Sequence, residues 1–279
     1  MTRALVLCAA LLGAGCVGPR ALLGYTTPVY SALGELELKS AGKDPEENVR
    51  VANALIAAAP AVKRWGPLEH KVEVQIMPSH EALERAVRRR GYAWLRAWGR
   101  YDEILLQSPR TWPGPPITEA DLAELLTHEL THCLMFQRSA GPDEWTERKI
   151  PIWFREGMAS WTANQGYRRP SLADLARELY ARPPRQVFTE GESLSKTEER
   201  FVYGMAHHAF AFLVRRYGES GVQRILAAMR EGRTFDEAFG VAIGIEEAAF
   251  AAEFERFLRW GGHKRGPPTR RPQFRGDAP

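Results

Sequence analysis

The chain has 279 residues, with 38 Lys plus Arg against 34 Asp plus Glu, a net charge of +4, and three Cys. The stretch from Gly261 to Pro279 holds five basic residues and one acidic one, which leaves 33 of each sign elsewhere. The basic excess therefore belongs to a Pro- and Gly-rich tail, expected to be disordered over 261–279, and a nucleic-acid-binding face on the folded part is excluded.

Met1 to Cys16 reads MTRALVLCAALLGAGC. One Arg precedes a short apolar run and then small residues, the pattern of a secretory signal too short to span a membrane. It ends at a Cys, as bacterial lipoprotein signals do, with Gly13 where Leu is usual. The expectation is export to the bacterial cell envelope with membrane anchoring through a lipidated Cys16; simple cleaved secretion is the alternative. With Cys8 removed and Cys16 acylated, only Cys133 remains, so no intramolecular disulfide can form. Gly13, Gly15 and Gly18 fit a dinucleotide-binding spacing in name only, because no strand precedes them and no helix follows.

Residues 17–260 are long enough for one well-buried domain or two lobes. Val51 to Val62 is expected to be helical, with Pro60 disturbing its end. Lys71 to Met77, KVEVQIM, alternates and predicts a strand. Ser79 to Arg89 predicts a helix capped by Ser79, and Asp102 to Gln107 a second strand, either at a sheet edge or inside it. A Pro- and Gly-rich loop then runs to Thr118, which with Asp121 makes a capping box for the next helix.

That helix carries LLTHELTHCLM, Leu125 to Met135. His128 and His132 are four apart, so both imidazoles lie on one face and can bind one metal ion. Glu129 is turned about 100° from the first and can reach a water on that metal without ligating it. The pattern arises by chance in roughly 2% of chains of this composition, so a second motif is needed to support it. The helix is apolar nearly all round, and a buried helix rarely carries two His and a Glu without a strong partner. Cys133 is expected to be a small core residue.

The second motif is PIWFREGMASW, Pro151 to Trp161. Pro151 fits a helix start, and Glu156 lies among Trp153, Phe154, Met158 and Trp161. Catalytic zinc takes three protein ligands and one open position, and Glu156 is the obvious third. An arrangement with a third His would need Gly at 135 and His at 138; Met135 and Arg138 exclude it.

HELTH followed by P-x-W-x-x-E-G-x-A resembles the gluzincin metallopeptidases, in particular the bacterial peptidase MA-like family. The resemblance implies one Zn2+ per chain on His128, His132 and Glu156, with Glu129 as general base, acting on a peptide or protein substrate. It also implies a substrate lying along a sheet edge beside the cleft. Many gluzincins have an acidic residue four after the third ligand; this chain has Ser160, so the groups that orient its zinc ligands should differ.

Downstream, Gln137 to Lys149 is a polar connection, Leu172 to Tyr180 a helix, and Arg182 to Glu198 a loop. Arg200 to Gly218 predicts a helix closed by Gly218. The resemblance places a Tyr at its start, here Tyr203, whose phenol could donate to an oxyanion near the metal. His207 and His208 are rival donors. Val222 to Met229, Thr234 to Val241 and Glu246 to Trp260 complete a helical C-terminal half. The expected fold is α+β and zincin-like, a small mixed sheet lobe with the HExxH helix followed by a mainly helical lobe. The expected function is a zinc metallopeptidase. An inactive zinc-stabilised binding or assembly module of the envelope is the alternative.

Overall fold

Tyr25–Ser31 (β1) and Gly34–Ser40 (β2) form an antiparallel hairpin around Ala32 and Leu33. Gly34 follows that turn at φ 99°, where a side chain is strained. Pro28 interrupts the apolar pattern of β1 and is tolerated because β1 is an edge strand. The computed structural model describes residues 24–42, 44–181 and 187–261, so the signal segment with Cys16 and the basic tail lie outside the described residues.

Glu73–Met77 (β3), Ala97–Gly99 (β4) and Glu103–Gln107 (β5) complete a five-stranded mixed sheet in the order β1-β2-β3-β5-β4. β3 lies parallel to β2 and β5, whereas β4 lies antiparallel to β5. The strand at 102–107 is thus internal, and the edge next to it belongs to the three residues of β4, with β1 at the opposite edge. One face of the sheet, with Leu38, Val74, Ile76, Ile104 and Leu106, joins the main core. The other face joins a second cluster through Met77 and Leu105 and carries a polar pair, Gln75 to Glu103 at 2.7 Å.

Helices cover both faces. Pro45–Lys63 (α1) starts at Asp44, whose side chain accepts the Glu47 N–H, and Pro60 sits within its last turn. His80–Val87 (α2) is capped by Ser79 and covers the second face with Leu83 and Val87. Glu119–Ser139 (α3) opens on the Thr118–Asp121 capping box and is buried along most of its length. Gln137 fixes its far end: the side-chain oxygen accepts from the Glu69 and His70 N–H groups, and the amide donates to the His70 and Tyr101 carbonyls.

The C-terminal half is helical. Ile152–Thr162 (α4) starts directly after Pro151. Leu172–Ala181 (α5) follows, then Val187–Leu194 (α6), Glu199–Arg230 (α7), Phe235–Ile243 (α8) and Glu247–Gly261 (α9). α6 corrects the expected loop over 182–198. Val187 is buried, Phe188 lies on Trp153 with ring centroids 5.0 Å apart, and Gly191 sits on Ile152, so an apolar face forms a short helix. Gly218 breaks α7 at φ 70°, where the sequence ends a helix, and the next one begins at once. Trp153, Phe154, Phe210, Phe235, Phe239 and Phe250 build an aromatic core around α4 and α7. The described chain is therefore a mixed α/β fold, a five-stranded mixed sheet followed by helices.

Candidate metal centre

α3 and α4 bring His128, His132 and Glu156 together, the two histidines on one face of α3 and the glutamate from α4. His128 Nε2 and His132 Nε2 lie 3.2 Å apart, and Glu156 Oε2 lies 3.4 Å from the first and 3.7 Å from the second. A tetrahedral ion with bonds of 2.0–2.1 Å needs ligand atoms about 3.3–3.4 Å apart, which this triangle matches. When each ring carries its proton on Nδ1, the two Nε2 atoms turn lone pairs toward each other, and a cation between them satisfies both. The residues present therefore fit a divalent ion of the zinc class; N and O donors also suit neighbouring divalent metals.

The surroundings orient two of the three donors, while His132 Nδ1 is buried without a partner among the described residues. His128 Nδ1 lies 3.0 Å from Gln165 Oε1, on the short 3-10 turn Gln165–Arg168 that follows α4. A carbonyl acceptor there places the proton on Nδ1 and leaves the Nε2 lone pair free. Glu156 turns its other oxygen, Oε1, toward Arg155 Nε at 3.5 Å. Burial opposes ionisation of Glu156, but the facing His132 and His128 and the Arg155 guanidinium hold its carboxyl well below the usual carboxylate range. Burial, against the pull of Glu156, takes His132 down to about 3, so this ring is neutral. Burial also lowers His128, but its hydrogen bond to Glu156 and the charges of Glu129 and Glu156 outweigh that and raise it.

Glu129 stands beside the triangle, outside it. Its Oε2 accepts the Gly99 N–H of β4 at 2.6 Å, and it is 7% exposed. Burial raises its carboxyl, partly offset by His128 and by the Gly99 bond. Gly99 allows this approach, since a Cβ there would lie 2.6 Å from Glu129 O and 3.2 Å from His132 Cβ. Gly157 does the same for the third ligand: an added Cβ would come within 2.7 Å of Phe210 Cβ, and closer to Ala206 O, so α4 lies directly on α7.

Tyr203, on α7, lies under the Arg169 guanidinium, 5.3 Å from ring centroid to Cζ. The charge of Glu156, and after it burial, push its phenol well above the ordinary value, so the hydroxyl stays a donor. The rival histidines are engaged elsewhere. His207 Nδ1 lies 2.7 Å from Ser160 Oγ, and His208 Nε2 lies 2.9 Å from Pro170 O. Ser160, in the place of the expected acid, thus serves His207, and Gln165 serves His128. Cys133 is buried with its Sγ toward Glu103 O, a core residue.

Gly99, Gln165 and Arg169 went unread in the sequence. β4 is too short for a periodic signal. Gln165 and Arg169 follow Asn164, a left-handed residue at φ 54° that turns the chain back under the helix, and nothing in their type announces it. No family profile matches the chain, and no curated protein matches it.

Proposed function

We propose that the chain is a zinc-dependent peptidase similar to the gluzincins of the bacterial peptidase MA-like kind, with a zincin-like fold. One observation carries the reading: a His–His–Glu triangle of metal-ligand dimensions with a separate, buried carboxylate beside it. A structural zinc site usually has four protein ligands and has no use for such a base.

A bound divalent ion supplies Lewis acidity, lowering the pKa of a water toward about 7 and polarising the scissile carbonyl. With an ion held by His128, His132 and Glu156, Glu129 would take the proton of such a water on Oε1, because Oε2 is held by Gly99. A carboxyl raised by burial is a better-matched base near neutral pH and can return the proton to the leaving amine. Tyr203, kept protonated, donates to the oxyanion. β4, the free edge of the sheet beside Glu129, offers backbone groups to an extended peptide. Export and anchoring through Cys16 belong to the same proposal. They rest on the sequence alone, and fractionation of cells expressing the full chain tests them.

Glu129→Gln separates chemistry from metal binding. It should keep one zinc per chain, and its activity on a mixed peptide library should fall 10²- to 10⁴-fold, the range of a lost general base. A zinc-replete wild type that cleaves nothing, beside a Glu129→Gln variant that melts higher, would favour the inactive envelope module.

A further inference from the structure

Arg155, beside Glu156 on α4, and Arg168 and Arg169, at the end of the turn that follows α4, are not equivalent. Arg155 pairs with Glu156 and Glu192, and Arg168 with Asp121 and Glu124. Arg169 has no ion pair to a carboxylate among the described residues. Its guanidinium lies over Tyr203 and reaches one acceptor, Gln165 Oε1, at a long 3.5 Å. That oxygen is the one that orients His128, so Arg169 stands two contacts from the first donor of the triangle. Its Nε is buried without a partner.

A guanidinium has five N–H donors in a planar fork, and here one weak bond uses one of them. Burying such a group without an anion is unfavourable, and burial does depress this arginine against the pull of Glu156. A group held so, beside a site that takes a peptide, is matched by a carboxylate from the substrate, which the fork can bind through two parallel bonds.

We propose that Arg169 is a specificity-determining residue that binds a substrate carboxylate close to the scissile bond. The inference rests on the peptidase reading. The carboxylate is either the peptide's own C-terminus or an Asp or Glu side chain.

Two measurements on the full chain loaded with zinc test it. The first is calorimetric binding of succinic and glutaric monohydroxamic acids, each against its primary amide. The hydroxamate occupies the metal, and the far end reports on Arg169. Wild type should bind at least one acid about tenfold more tightly than its amide. Arg169→Met should bind both alike, and Arg169→Lys should keep part of the preference. The second is cleavage of peptide libraries made as free acids and as C-terminal amides, each with and without Asp and Glu. A preference lost on amidation identifies the terminus; one lost with Asp and Glu identifies the side chain.

Equal binding of acid and amide by wild type overturns the inference, as does a preference that survives in a folded, zinc-loaded Arg169→Met. Should Arg169→Met fail to fold, the wild-type comparison and Arg169→Lys decide, and an undiminished preference in Arg169→Lys at every spacer counts against the bidentate role. Retained discrimination between acid and amide in a protein that cleaves no peptide sinks the peptidase reading and leaves Arg169 as an anion-binding residue.

Discussion

Tyr203 and Gln165 flank the candidate metal centre in different ways. Gln165 touches His128 and acts through it, whereas Tyr203 is not a donor to any ligand and is held as a neutral phenol beside Glu156. Tyr203→Phe should therefore leave zinc content unchanged and lower kcat on the order of 10²-fold with KM little altered, the signature of a bond made only in the transition state. Metal analysis and steady-state kinetics check it, and unchanged kcat would end the role. That His128 and His132 share a helix face was legible in the sequence, because a four-residue spacing fixes it whatever surrounds it. The residues that orient them were not, since Gln165 reaches His128 only through the left-handed turn at Asn164.

At the scale of elements, the closeness of α4 to α7 sets where Glu156 stands. Helix propensity alone favours Ala over Gly by about 1 kcal/mol inside a helix. Gly240, in α8, has nothing within 4 Å of an added Cβ, so Gly240→Ala should stabilise the protein by about that amount. Gly157→Ala should do the reverse, by about 1–3 kcal/mol, because its methyl would meet Ala206 and Phe210. Urea unfolding of the two variants gives the signs, and a stabilising Gly157→Ala would contradict the packing. Helix starts were readable where a cap is local, as at Ser79, Thr118 and Thr234. The β1–β2 hairpin and α6 were not. Pro28 and the glycine at 34 mask the first, and α6 rests on residues far from it in sequence, Trp153 and Ile152 among them.

For the whole molecule, α9 is tied to the core by a half-buried acid. Glu247 accepts the Trp153 Nε1–H of α4 and shares a hydrogen bond with Asp236 of α8. Burial, then Asp236, push its carboxyl from 4.5 up to about 7 against the Trp153 bond. A folded state that holds this proton more tightly than the unfolded chain gains stability that is complete below about 4.5 and lost as pH rises through about 7. Glu247→Gln keeps the donor and acceptor without the charge. It should melt higher than wild type at pH 8, by on the order of 1–2 kcal/mol, and match it near pH 4.5. Melting curves across that range check it, and parallel pH profiles for the two proteins would remove the role.

The helix that delivers Glu156 is held by both ends of the chain. Trp65 Nε1 bonds Thr162 at its end, and Glu247 holds Trp153 at its start. That arrangement imposes an order in time. A ribosome presents His128 and His132 long before α7 to α9 exist, and until these dock α4 has only α3 and Trp65 to rest on. An ion captured early meets two imidazoles and no fixed third donor. The surface that fixes Glu156 is therefore made after the two histidines.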